Sequence, residues 1–396
     1  MPIKLAIVGV GSFAQSFIPL FKAHPLVEHV TLCDLDPAKL KANSEKWHIP
    51  DTCGSLDAVC DLDIDAAAIL TQNDRHAPQA IQALETGMHV YSAVPTGINV
   101  QEITDLVRTV ERTGLVYMIG ETSYYYPCAL YCRTRYAAGD FGHVVYGEAE
   151  YYHDYRHGMY EVAQHRFGAD WKQHFGLPPM YYPTHSTSMI ISVTGAHMTH
   201  VSCQGWVDVH EDGLYGSGRN IYDNPFSNQF ALFKMSDGST ARINEARRIG
   251  HPGTVRLSLF GTEGSYEQNC HGPVWVTTER KDFTPLDDLL APRGVAVKEV
   301  DTVMANVTSA DGTHMHAAKI HDLARLPREF INLPNGHNGS HQFLVDDFIT
   351  ACEHRTTPPN NVWQAARYAI PGVIAHESCT HGGELREIPD LGDGPG

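Results

Sequence analysis

Ile3-Lys4-Leu5-Ala6-Ile7-Val8-Gly9-Val10-Gly11-Ser12-Phe13-Ala14, with Asp34 following at the end of a second apolar run, decides the fold of this 396-residue chain. An apolar strand, a glycine turn, a helix and a strand ending in an acid form the unit that holds a dinucleotide. Gly9 permits the tight turn, Gly11 lets backbone approach a pyrophosphate, and Ala14 takes the third small position, where helix packs close to strand. The helix that follows is expected to turn its free N–H groups toward the phosphates. Asp34 lies about 20 residues past the turn, where a carboxylate accepts both ribose hydroxyls and repels a 2′-phosphate, so NAD is expected over NADP.

Outward from that unit, strands and helices alternate. Pro37 to Trp47 reads as a helix, a short strand follows near Ile49, and Asp65 to Leu70 is a buried strand. Thr71-Gln72-Asn73-Asp74-Arg75-His76 opens a helix over Pro78 to Thr86, and His89–Ser92 and Val116–Ile119 are further strands around a helix at Val100–Thr113. Such alternation predicts a doubly wound parallel sheet, whose ligands bind beyond the carboxyl ends of strands. Ser12, Phe13, Asp34, Thr71, Asn73, His76, Ala93, Val94, Pro95 and Glu121 occupy or adjoin those ends. From Tyr124 the pattern changes. Val144 to His153 alternates as a strand, Phe230–Met235 and Thr240–Glu245 read as a hairpin around Asp237-Gly238, and Val255–Gly261 continues the sheet. The expected division is a Rossmann domain over 1–123 and an α+β domain with an open, mostly antiparallel sheet over 124–396. Gly264 to Thr313 reads as polar loop, Gln342–His354 and Trp363–Cys379 as closing helices, and Asp390–Gly396 as a frayed tail.

Composition narrows the function. With 42% hydrophobic residues the chain can fill two ordinary cores, and a net charge of −17 repels phosphate backbones, which argues against a nucleic-acid partner. There is no apolar run of membrane-spanning length and no leader-cleavage pattern near Lys4, so a cytoplasmic protein without a membrane partner is expected. Nine Cys, an odd number without paired spacings, are expected as free thiols. Among 24 His, His153/His157 and His337/His341 have helical spacing, but no accompanying ligand pattern supports a metal, and none is expected.

An NAD domain followed by an open-sheet domain resembles the Gfo/Idh/MocA oxidoreductase family. Thr71-x-Asn73-x-x-His76 and Gly87-x-His89-Val90 match it, but the family's Glu-Lys-Pro reads Ala93-Val94-Pro95 here, so its catalytic lysine is missing. Tyr182-Pro183-Thr184-His185 stands where the family supplies its acid/base histidine. That segment, Val94, Glu148-x-x-Tyr151-x-His153-Asp154 and Gly339-Ser340-His341-x-Phe343-Leu344-Val345-x-Asp347-Phe348 are similar to the NAD-dependent glycoside hydrolase branch, typified by α-N-acetylgalactosaminidases. The resemblance implies recycled NAD, transient oxidation at a sugar C3, elimination at C1, water addition and re-reduction. This is a known exception to the two-carboxylate glycosidase scheme. It also implies a dimer or tetramer.

Such chemistry needs a base near C3-OH or C2-H and an acid near C1. His185 is the leading candidate because imidazole titrates near neutrality; a satisfied core histidine is its alternative. Tyr182 and Glu148 are the accompanying catalytic candidates; packing and an ordinary exposed strand carboxylate are their alternatives. Substrate-binding candidates are His153, Tyr126 in the Tyr124-Tyr125-Tyr126 run, which either stacks on sugar or packs in the core, and Arg247. With Arg248, Arg247 is either a solvated loop pair or a cradle for an anionic sugar substituent. The alternatives to a glycosidase are a sugar or polyol dehydrogenase and an NAD-binding sensor without turnover.

Overall fold

The structure, a computed structural model, describes residues 2–279, 283–292 and 314–394. Its contacts group into two compact units. The first is Met1–Pro127 with Ala291–Ala366 and Leu391–Gly396; the second is Cys128–Leu290 with Arg367–Asp390. This differs from a single cut after residue 123, because two later segments pack with the first unit.

The first unit is built on six parallel strands, β1 (Ile3–Val8), β2 (Val27–Cys33), β3 (Thr52–Cys53), β4 (Ala66–Ile69), β5 (His89–Ser92) and β6 (Tyr117–Ile119), in the order β3-β2-β1-β4-β5-β6. The strand order reverses between β1 and β4, the switch point at which such sheets bind nucleotides. Ala66, Ala67, Ala68 and Ile69 are all buried, as a strand covered on both faces must be. Local chemistry sets the helices around it. Asp36 caps the helix Pro37–Trp47, which begins on proline. Asn99 accepts the Glu102 N–H at 2.8 Å to start Val100–Thr113, which stops at Gly114 in the left-handed region. Each cap is worth about 1 kcal/mol. Two expectations shift here. The strand near Ile49 forms instead at Thr52–Cys53, and the turn after Gly11 runs into a 3-10 segment, Phe13–Ser16, before a six-residue helix, Ile18–Ala23.

The second unit holds one nine-stranded sheet: β7 (Val144–Tyr152), β8 (Met198–Val207), β9 (Phe226–Met235), β10 (Thr240–Ala246), β11 (Thr254–Gly261), β12 (Gly264–Asn269), β13 (Gly272–Thr277), β14 (Phe283–Pro285) and β15 (Arg386–Glu387). The order is β14-β13-β12-β11-β7-β10-β9-β8-β15, antiparallel except for the parallel β7–β10 pair. The expected hairpin forms, with Gly238 at φ +88°. The stretch expected as loop from Gly264 supplies β12, β13 and β14, while its part from 293 to 313 lies outside the described residues.

One face of this sheet carries the buried helix Thr184–Thr194. A Cβ on Gly147 would sit 3.3 Å from Ile190 of that helix, so the odd-numbered residues of β7 face it. Ala241, Ile243 and Glu245 of β10 face the same way, and Glu245 is wholly buried there. The other face mixes apolar side chains, Trp206, Phe230 and Leu232, with the ion pairs Glu148–Arg242 and Glu150–Arg256, each 2.6 Å. Met235 is buried while Phe230 and Leu232 are exposed, because odd positions of β9 turn inward. The tail is tied down: Asp390 grips Arg367 at 2.8 and 2.9 Å.

Candidate active site

In the first unit the cofactor positions fall where the strand ends place them. Gly9 has φ +90°, and a Cβ there would lie 2.7 Å from the Leu70 carbonyl oxygen, so only glycine lets β1 leave the sheet beside β4. At Gly11 a Cβ would meet nothing within 4 Å, which leaves the backbone open to a ligand. Asp34 closes the turn from β2: its carboxylate accepts the Val10 N–H and the Asp36 N–H, each at 2.9 Å. Each oxygen keeps a further lone pair for a hydroxyl. Ser12 and Phe13 stand on the turn, and Ala14 is buried against the sheet. Thr71 and Asn73 follow β4, and His76 is fastened between the Pro95 carbonyl (2.8 Å) and the Thr71 carbonyl (3.2 Å), so it shapes this loop from within. Ala93, Val94 and Pro95 are buried after β5. The open glycine turn and the carboxylate at its rim fit a dinucleotide.

The Tyr124–Tyr126 run is not an open platform. Tyr125 stacks on Phe343 (5.0 Å between centroids), donates a hydrogen bond from its hydroxyl to Asp347 and accepts one from Arg325 at 2.9 Å; Tyr126 is 4% exposed. Nearby, His337 Nδ1 and His341 Nε2 are 2.7 Å apart and Gly336 N–H donates to His341 Nδ1 at 3.2 Å, so this pair is spent on mutual bonding. Among the described residues no group of three or more His, Cys, Asp or Glu is placed to hold a metal ion.

The second unit gathers the proton-transfer candidates on the inner face of its sheet. His185 comes from the first turn of the helix Thr184–Thr194, Tyr182 from the turn before it, and Tyr151 and His153 from β7 and its end. The His185 ring lies 5.2 Å from that of Tyr151 and 5.4 Å from that of Tyr182, both edge-to-face. The Tyr151 hydroxyl is 2.7 Å from His153 Nδ1. Burial, aided by the Arg247 cation, pushes His153 down to about 4, so it is neutral at physiological pH. The proton shared with Tyr151 then rests on the phenol or on Nδ1.

Beneath these groups lies a buried ion pair that sequence reading missed. Glu245 Oε1 accepts the Ser186 hydroxyl at 2.6 Å, and Oε2 is 3.1 Å from Arg247 Nη2. Burial raises Glu245 to about 7, against the opposing pull of Arg247 and Ser186. The available signal was parity: with Ala241 and Ile243 on the core side of β10, Glu245 must share that side.

Two sequence expectations change here. Glu148 lies on the opposite face of the sheet from His185, held by Arg242, because even positions of β7 turn away from the helix. Arg247 and Arg248 are neither a solvated pair nor an open anion cradle. Arg247 is neutralised by Glu245, and Arg248 is held by Asp208 at 3.2 Å and by Asp212 and Tyr160.

Residues 3–121 match the profile of the Gfo/Idh/MocA group, described as "Oxidoreductase family, NAD-binding Rossmann fold". A glycosyl hydrolase family 109 protein of Saccharopolyspora erythraea is 28% identical over 98% of this chain and 83% of its own length. One from a Shewanella species is 31% identical over 46% of this chain and 42% of its own. Among solved structures, levoglucosan dehydrogenase in complex with NADH and levoglucosan superposes with a TM-score of 0.74 at 14% identity, covering 98% of this chain and all (100%) of that one. No described helix is long and apolar enough to cross a membrane. Residues 3–121 thus match the NAD-binding Rossmann fold of the Gfo/Idh/MocA oxidoreductases, and along nearly its whole length the chain is similar to a family 109 glycosyl hydrolase.

Proposed function

We propose that this protein is an NAD-dependent oxidoreductive glycoside hydrolase. The observation that carries the reading is the convergence of Tyr151, His153, Tyr182 and His185 on one face, in a chain that has valine where the family's dehydrogenases keep lysine. A lysine ammonium suits a single hydroxyl-to-ketone step. Removing a carbon-bound proton and protonating a leaving group calls for several neutral acid/base groups close together. Bound NAD supplies the hydride acceptor at the start of each cycle and the donor at its end.

In this reading His185 takes the C3 hydroxyl proton as that carbon is oxidised. The new ketone acidifies C2–H, which the Tyr151–His153 pair removes at the phenol oxygen as the C1 substituent departs. Tyr182 protonates the departing oxygen and then accepts a proton from the water that adds at C1, while the Tyr151–His153 pair returns its proton to C2. Asp34 and the glycine turn hold the cofactor throughout, with Thr71, Asn73 and Val94 completing its site. The sugar hydroxyl proton returns from His185 when C3 is reduced again. Every proton taken is given back, so the net reaction is addition of water.

The same groups also suit a plain sugar dehydrogenase, the kind of enzyme among the solved structures of similar fold. A panel of nitrophenyl glycosides with catalytic NAD⁺ separates the two. Nitrophenol in large excess over NAD⁺, without accumulating NADH, is the expected result. NADH accumulating with free sugars, and no nitrophenol, overturns the hydrolase reading in favour of a dehydrogenase.

A further inference from the structure

The buried pair beneath the cluster touches two of its members by different routes. Arg247 places its guanidinium carbon 4.8 Å from the centre of the Tyr151 ring and donates to the Tyr151 carbonyl at 3.3 Å. Its partner Glu245 reaches the other way, through the Ser186 hydroxyl, to the helix turn that carries His185. In the parallel β7–β10 register Glu245 is paired with Tyr151, so backbone pairing and the side-chain network fix the same neighbours. Both members are buried. A pair so placed gives little net stability over an apolar filling. Its position beside two acid/base groups offers another reason for it.

We propose that Arg247 and Glu245 are positioning residues that hold the Tyr151 phenol and His185 in place and, through the guanidinium under the ring, favour the phenolate form of Tyr151. The proposal rests on the catalytic reading of Tyr151 and His185 given above. A cation against the face of an aromatic ring is attracted by its electrons, and the attraction grows when the ring's oxygen becomes an anion. The groups facing Tyr151 are His153 on its own strand, Tyr182 and His185 from the neighbouring turn and helix, and Arg247 with Glu245 from β10. With His153 neutral, Arg247 is the fixed cation among them, and Glu245, with the nearby Tyr155 and Tyr215, favours its charged form. Glu245 opposes it: while ionised it offsets the guanidinium, and once protonated it leaves the cation's full effect on the phenol.

The test uses full-length protein with tyrosine labelled with carbon-13 at Cζ, titrated by NMR, the Tyr151 signal being the one missing in Y151F. The double variant R247M/E245Q removes both charges and leaves neither buried alone; Tyr151 is expected to titrate at least about one pH unit higher. E245Q alone keeps the guanidinium and removes its counter-charge, so Tyr151 is expected to titrate lower than in wild type. With a substrate in hand, the limb of the kcat profile governed by a base should move in the same two directions, with KM changing far less. An unchanged Tyr151 titration in both variants, or a shift of the same sign in both, overturns the proposal. The titration needs no substrate, so its failure is distinct from failure of the hydrolase reading, which nitrophenol release judges. E245Q retains an amide able to bond Ser186 and Arg247, and still decides the question if the double variant does not fold.

Discussion

Each unit of the molecule sets an arginine against a tyrosine ring beside a buried carboxylate, and the two assemblies are wired differently. In the first unit Arg325 lies 5.4 Å from the centre of the Tyr125 ring, and the Tyr125 hydroxyl is held directly by Asp347. Burial and that carboxylate push the Tyr125 phenol far above its ordinary range, so it keeps its proton and serves as a strut. In the second unit the carboxylate is turned away to Ser186 and the arginine, and the Tyr151 hydroxyl faces the neutral imidazole of His153. The same three side-chain types thus make a brace in one place and, in the proposed mechanism, a proton carrier in the other. What separates them is which group holds the phenol oxygen.

The sharpest way to break that contrast is to delete the two hydroxyls. Y151F is expected to lower kcat by about 10²–10⁴-fold, the usual worth of an acid/base group, while Y125F leaves kcat within a few-fold; nitrophenol release on both variants decides. Equal losses would mean that the phenols play like roles. Next in size is R325M, which strands the largely buried Asp347 without its cation and is expected to lower the urea midpoint, by less than the about 3–5 kcal/mol of a fully buried pair because Arg325 is itself exposed. Replacing Asp347 by Asn in the same chain should recover part of it.

A smaller effect concerns pH, and here the second unit contains two groups of opposite sign. His153 sits at about 4 when folded against its ordinary 6.5. As pH falls from 6.5 toward 4 the unfolded chain takes a proton that the native site refuses, and stability drops by up to about 3 kcal/mol. Glu245, raised from 4.5 to about 7, keeps a proton that the unfolded chain has released, so its contribution is present at low pH and is lost as pH rises through that interval. H153Q should therefore flatten the acid-side loss, and E245Q the loss toward neutrality. Urea midpoints at pH 4.5, 5.5 and 6.5 read both slopes, with buried His376 contributing a residual slope of the same sign as His153. The smallest expected change is Y125F itself, about 1–2 kcal/mol for one lost buried hydrogen bond.

The ease of reading these two regions from sequence also differs. The nucleotide turn is dictated by backbone: Gly9 must adopt φ +90°, Gly11 must stay bare, and Asp34 must end β2, so residue types at fixed spacing reveal it. The helices at 37–47 and 100–113 were legible for the same local reason, since Asp36, Asn99 and Gly114 mark their ends. His185 and Tyr182 were legible only through a motif. Glu245 and Arg247 lie some 60 residues away and reach this cluster through Ser186 and Tyr151, by helix packing and strand pairing, which no local pattern encodes. Strand parity was the one usable signal, and it decides two cases at once: Glu245 turns toward the helix and Glu148 away from it. The segment from Gly264 was misread because polar residues on one face of a solvent-facing sheet look like loop in one dimension.

The return of residues 314–366 to the first unit bears on how the chain can be inherited. The helix His341–His354 lays His341 against Phe17 at 4.5 Å and Phe348 against Tyr91 at 5.7 Å, so the nucleotide-binding sheet is finished by sequence lying far beyond the second unit's strands. An exchange of genetic material that cut after residue 127 would leave Phe17, Phe21 and Tyr91 bare and the recipient without its last layer. Recombination can pass on this nucleotide domain whole only by carrying the sequence between its pieces as well.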